Sequence, residues 1–268
     1  MSNYSTRFSE NSPAFVVTNE DLRYEMNLMP VNRERVLTVV GSGDHPLFSS
    51  LYGAKYVDTF DITINARAMM DVKTAAIIAG MRRSNYVKLL NYFCDNQKNS
   101  MKDVCLDNIK RKFALGRLGK NLSSETLNNI KQNKWNIVCY STYSSIDQYS
   151  AFLPTKSEYQ KLQEIINKPY NFIQTDIANL SAKLVGKRYD FIHLSNIFDH
   201  VDEEDKILEI LNSLLSYVNV GGRILSCHFY KIPSIFEEES VSKILKDWRC
   251  FYRFTNKSDN VVVFERVR

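Results

Sequence analysis

The 268-residue chain has five cysteines and four histidines, all dispersed, and no Cys-x-x-Cys pair. That spacing offers neither a zinc framework nor a disulfide scaffold, and no metal is expected. No apolar run approaches the ~18 residues needed to cross a bilayer. The opening stretch MSNYSTRFSENSPAF is polar and lacks the apolar centre of a secretory signal, so a reduced, cytoplasmic setting is expected. Internal repeats and low-complexity tracts are absent too. With 44% hydrophobic and 24% charged residues, the composition is that of a soluble globular protein able to bury one sizeable core.

Charge of one sign is scarce except in one place. Between Lys98 and Lys134 stand nine Lys/Arg and three Asp/Glu, a balance of +6 against +5 for the whole chain. The rest is therefore close to neutral. A solvated helical face is the ordinary reading of such a segment. The functional alternative is contact with an anionic acceptor or an acidic membrane surface. Tyr and Phe, fifteen each, fall mostly at core-like positions and do not alternate with basic residues as in a base-stacking platform. Nucleic acid is therefore not an expected partner.

Among the few glycines, Gly41 and Gly43 follow the apolar run RVLTVV, which reads as a strand buried on both faces. HPLFSSLYG can open the next helix with Pro46 in its first turn, and KYVDTFDI reads as a second strand. The pattern then becomes helical through ARAMMDVKTAAIIAGM, and RRSNYVKLLNYF continues in register. SMKDVCLDNIKRKFAL, SSETLNNIKQNKW and SEYQKLQEIINK follow as helices, the last stopped by Pro169. Upstream, Thr18 or Asn19 suits an N-cap before a short helix. Strands resume at YNFIQTD and RYDFIHLSN, then the amphipathic helix EEDKILEILNSLLSYV. GGRILSCHFY reads as a turn and a strand, and WRCFYRFTNKSDNVVVFERVR as two strands joined at Asn256–Asn260.

Alternating strands and helices predict an α/β fold with a mostly parallel sheet. Ligands of such sheets sit beyond the carboxyl ends of the strands, near the point where strand order reverses. Glycine there lets backbone approach the ligand. An acidic residue ending the second strand can accept from both ribose hydroxyls, and Asp61 stands at that position. Pro46 occupies the third glycine of a GxGxxG dinucleotide turn, which demotes NAD or FAD and favours a smaller nucleoside ligand. Asp176, after NFIQ, could accept from an adenine amino group. Ser195, Asn196, Asp199 and His200 gather at the end of the next strand, as a ligand cleft requires. Asp190 is expected at the opposite end of the sheet and is given no site role.

The order VLTVVGSGD, VDTFDIT, FIQTDIANL, YDFIHLSNIFDHV and VNVGGRILS resembles the Rossmann-like class I S-adenosylmethionine-dependent methyltransferase fold. The resemblance implies S-adenosylmethionine as cofactor, with Gly41, Ser42 and Gly43 along its methionine part, Asp61 on the ribose and Asp176 near the adenine. Ile62, Ile177 and Ser195 complete the expected cofactor set. FYRFTNKSDNVVVFERV resembles that family's antiparallel hairpin, while His45 departs from a third glycine common in it. VTNEDLRYEMNLMPVNRERVLTV, DITINARAMMDVKTAAIIAGMRRSNYVKLLNYF and SNIFDHVDEED further resemble the 3-amino-3-carboxypropyl transferases of betaine-lipid synthesis.

On this reading residues 1–35 form an N-terminal extension or lid, and 36–66 with 169–268 form the cofactor-binding core. Residues 67–168 form a mainly helical insertion that caps the acceptor side. The expected activity transfers a carbon group, 3-amino-3-carboxypropyl ahead of methyl, from the sulfonium to a small molecule or lipid. A weakly acidic acceptor would need a base, and Asp199 and His200 are the nearest candidates, although Asp199 or Asp202 equally suits a helix cap. The rival readings are an NAD-dependent oxidoreductase and a non-catalytic module that binds through its basic segment.

Overall fold

The expected strands form where short apolar, β-branched runs lie between turn residues. The computed structural model describes residues 9–95, 118–131, 137–138, 152–229, 232–237, 245–254 and 260–268. Its elements, in chain order, begin with β1 (Ala14–Phe15), α1 (Leu22–Met26), β2 (Arg35–Val39), α2 (Asp44–Leu51) and β3 (Tyr56–Asp61). Next come α3 (Ile64–Ile78), α4 (Arg83–Asp95), α5 (Ser124–Lys131), β4 (Ile137–Val138) and α6 (Lys156–Ile165). The second half holds β5 (Asn171–Gln174), α7 (Leu180–Lys183), β6 (Tyr189–His193), α8 (Glu204–Leu215), β7 (Val218–His228), β8 (Trp248–Phe254) and β9 (Asn260–Arg266).

The main sheet has seven strands in the order β5-β3-β2-β6-β7-β9-β8. Neighbours from β5 to β7 pair in parallel, whereas β9 runs antiparallel between β7 and β8. This is the Rossmann-like class I methyltransferase arrangement that the sequence led us to expect, closing hairpin included. Strand order reverses between β2 and β6, so the loops after these two strands open a crevice there. Each face of the sheet carries its own core. Val36, Leu47, Met69, Met70 and Phe93 pack on one, and Leu37, Ile192, Leu211, Leu214 and Phe264 on the other. The β1–β4 ladder is separate and joins the N-terminal segment to the region before α6.

Several expectations change in detail. The helix after β3 is interrupted: Gly80 adopts φ +67°, its N–H bonds Ile77 O, and Met81 N–H bonds Ala76 O. This paired closure satisfies the last carbonyls of α3 and separates it from α4. The boundary expected at residue 66 falls inside α3, whose buried face belongs to the sheet's core. Thr18 and Asn19 do not cap α1; Asp21 does, accepting from Tyr24 N–H at 3.3 Å. Helix α6 ends at Ile165, ahead of Pro169, and starts with a full capping box at Thr155 and Glu158. Gly221 and Gly222 lie inside β7 beside a register shift against β6, and a Cβ on Gly222 would stand 2.8 Å from Asp190 O. Strand β5 is an edge strand. The helix expected in SMKDVCLDNIKRKFAL, most of the basic segment and the turn before β9 lie outside the described residues.

Candidate functional site

A cavity of about 460 Å³ opens beyond the carboxyl ends of β2, β3, β5 and β6. That size is within the ~300–1,000 Å³ of small-molecule sites. Its floor holds Gly41 and Ser42 after β2, Asp61 at the end of β3 and Ile62 after it, Asp176 and Ile177 after β5, and Ser195 after β6. Seven of the eight expected cofactor residues thus meet on one wall. The exception is Gly43. It takes φ +84° as the N-cap of α2, and a Cβ there would stand 2.7 Å from Met70 Cα. Its glycine is required by the close approach of α3.

Asp61 organises the floor. One oxygen accepts Gly41 N–H and the other Thr63 N–H, each at 3.0 Å, tying the glycine turn to the start of α3. Burial pushes its carboxyl up to about 6 against the pull of these backbone donors. A carboxylate has about four acceptor positions, and with the Ile62 N–H also favouring the ionised form, room remains for a hydroxyl donor. Asp176 is held by Asn179, through its backbone N–H at 2.8 Å and its side-chain amide. Ser195 has φ +55°, a left-handed conformation that β-carbon-bearing residues rarely adopt. Three bonds hold it there: Cys227 N–H to its carbonyl, its own N–H to His193 Nδ1, and its hydroxyl to Glu20.

The roof comes from the N-terminal segment. Pro13 to Phe15 and Val17 to Glu20 line the cavity. Thr63 Oγ1 and Asn65 Nδ2 donate to Ser12 O, and Thr18 N–H donates to Asp44 at 2.9 Å. Asp44 also accepts from Ser42 Oγ at 2.7 Å and from Lys73 Nζ at 2.6 Å, in a fully buried ion pair. Burial pulls the Lys73 ammonium down while Asp44 opposes that shift.

Beneath the roof lies a second polar cluster. Glu20 Oε2 is 2.6 Å from His45 Nε2, and the ring of His45 is 5.1 Å from that of His193. Burial alone would raise the Glu20 carboxyl, but His45, His193 and the Ser195 hydroxyl together hold it below its ordinary value. The ionised carboxylate therefore takes a hydrogen from His45 Nε2. That leaves Nδ1 facing Gly41, buried and without a hydrogen-bond partner. Such an orphan costs about 1–3 kcal/mol. Glu20, Glu25, His193 and Cys227 also bring ligand-type atoms within 4.8 Å of one another. His193 Nδ1 accepts the Ser195 N–H, so its own hydrogen sits on Nε2 and points to Glu25 at 2.7 Å. That tautomer has no Nε2 lone pair for a metal. Burial, with His45 nearby, presses His193 down to about 3, which keeps the ring neutral.

The two expected catalytic residues separate. His200 lines the cavity, with Nε2 3.4 Å from Asn196 Nδ2. Asp199 faces away: its oxygens accept from His228 Nδ1 at 2.9 Å and Phe229 N–H at 2.8 Å, fastening the turn after β6 to the end of β7. Asp190 lies at the other end of the sheet, bonded to Arg35 N–H and Asn219.

No protein-family model and no curated protein matches this chain, so the betaine-lipid resemblance stands on its quoted motifs alone. Among solved structures, the chain is similar to the rRNA methyltransferase aviRa from Streptomyces viridochromogenes. The two are 14% identical with a TM-score of 0.48, over 99% of this chain and 90% of that one. An rRNA methylase from Streptococcus thermophilus is 9% identical, with a TM-score of 0.43 over 92% and 94%. The N-methyltransferase NodS from Bradyrhizobium japonicum WM9, in complex with S-adenosyl-L-homocysteine, is 8% identical, with a TM-score of 0.37 over 88% and 79%. At these identities the likeness is one of fold.

Proposed function

We propose that this chain is an S-adenosylmethionine-dependent transferase that moves a carbon group from the sulfonium to a small-molecule or lipid acceptor. One observation carries the reading: at the reversal point of the sheet, an unhindered glycine turn and a buried carboxylate, Gly41 and Asp61, share the wall of a cavity sized for a nucleoside. When bound, the sulfonium supplies an electrophilic carbon. The chain's contribution is then placement and exclusion of water. Asp61 orients the ribose through its remaining acceptor position, Asp176 serves the adenine amino group, and Ile62 and Ile177 cover the base. His200, on the cavity wall, is the group in position to hold the acceptor's proton. Asp199 supports it from behind by fixing the turn between Asn196 and His200.

The resemblance outside the cofactor motifs favours 3-amino-3-carboxypropyl transfer, which leaves methylthioadenosine. Methyl transfer leaves S-adenosylhomocysteine instead. Mass spectrometry of the nucleoside released from S-adenosylmethionine, after incubation with cell extract, reads the chemistry directly. Calorimetry with S-adenosylhomocysteine against NADH tests the cofactor, and tight NADH binding with no response to the thioether would overturn the proposal.

A further inference from the structure

At the end of the sheet away from the cavity, apolar side chains face water. Among the described residues, five large hydrophobics are exposed: Val31, Tyr56, Ile165, Val185 and Val220. Val31 and Val185 lie four residues before β2 and β6, Tyr56 opens β3, Val220 is the third residue of β7, and Ile165 ends α6 ahead of β5. All five therefore stand where the chain enters the sheet, and β3, β2, β6 and β7 are consecutive in it, about 4.8 Å apart. The same connections, residues 31–35, 53–58, 161–171, 183–190 and 216–222, carry eight Lys/Arg and four Asp/Glu. Two of those acids are turned inward: Asp58 accepts from Asn171, Tyr189 and Lys187, and Asp190 from Arg35 N–H and Asn219. A second cavity of about 530 Å³ opens here, with Arg35, Lys55, Lys161 and Lys168 on its walls. We propose that this pole docks the protein on an anionic lipid bilayer. The apolar side chains enter the headgroup boundary and the cations meet the lipid anions. Exposed apolar residues scattered singly are ordinary, but here they are confined to one cationic pole. Nucleic acid would use the cations and gain nothing from three valines, and a second copy of the chain would bring a pole of like charge. Tyr56, with the Arg35 guanidinium 5.8 Å from its ring centroid, is of the amphipathic type enriched at bilayer interfaces. Docking this way leaves the first cavity open to water, and it holds whatever that cavity binds.

Cosedimentation of the full chain with vesicles tests this, using phosphatidylcholine alone and phosphatidylcholine with about a third phosphatidylserine. The expected result is binding to the anionic vesicles that weakens as salt rises, and at least about tenfold weaker binding to the neutral ones. Two double variants, Lys55→Gln with Lys168→Gln and Val31→Ser with Val185→Ser, should each weaken binding to anionic vesicles by about tenfold or more. Val31 is 97% and Val185 77% exposed, so their thermal midpoint should stay that of the unsubstituted chain. No binding to anionic vesicles, or equal binding to both compositions, would overturn the proposal. So would binding that either double variant leaves intact, which would place the contact elsewhere on the chain or make it one of charge alone. An RNA oligonucleotide bound more tightly than the vesicles, released by the lysine pair and kept by the valine pair, would give the pole to nucleic acid instead.

Discussion

Single residues in the cavity carry opposed demands. The Asp61 carboxyl is raised by burial to about 6, above its ordinary value near 3.8. Its contribution to stability is therefore full below about pH 4 and is lost as pH rises through 6. Ribose hydroxyls donate to the ionised form, so a nucleoside recovers part of what ionisation loses. We expect S-adenosylhomocysteine affinity, measured by calorimetry, to fall as pH drops from 7 to 5. Asp61→Asn should bind about tenfold more weakly at pH 7 and show a flatter profile. An equally steep profile in that variant would assign the slope to another group. Asp61 was recognisable beforehand because it ends a β-rich run at a fixed distance from a glycine turn. Glu20, His45 and Lys73 were not, because a buried polar residue has no local signature. Their partners lie 25, 25 and 29 positions away, and Glu20 reaches Ser195 across 175.

Elements hold the cavity by close approach and by one buried ion pair. Helix α3 crosses under the start of α2 with Met70 against Gly43. Gly43→Ala would force both a left-handed alanine and a clash with backbone. We predict a loss of about 2–5 kcal/mol in urea unfolding, from ~1–2 for the conformation and ~1–3 for overpacking. Asp44→Ala strands the fully buried Lys73 ammonium and releases Thr18 from the roof. The expected cost is about 3–5 kcal/mol. A loss under 1 kcal/mol would mean that Lys73 finds water or another acceptor. The periodicity that located α3 overran it, since apolar spacing continues past Gly80 while backbone geometry does not. Strand and helix types were legible wherever one face meets the core. For the roof only a lid somewhere in residues 1–35 was expected; its contacts were not legible, because its residues hold position through side-chain bonds to distant loops.

At the scale of the whole molecule, the cavity joins the N-terminal roof to loops far along the sequence. Glu25 meets His193 across 168 positions, as Glu20 meets Ser195 across 175. Ligand binding between them should therefore report as global stability. S-adenosylhomocysteine at a hundred times its Kd is expected to add about 2.7 kcal/mol, raising the thermal midpoint by on the order of 5–10 °C. NADH at the same concentration should leave it unchanged. Among the described residues, no helix is long and apolar enough to cross a membrane.

The position of β9 also constrains how the protein is made. Val261, Val262, Val263 and Phe264 are fully buried, and their strand is flanked by β7 on one side and β8 on the other. A nascent polypeptide halted before residue 260 would present two raw strand edges with a gap between them, a template for aggregation and a target for proteases. Emergence of β9, rather than of the loops that line the cavity, is thus the step that completes the sheet.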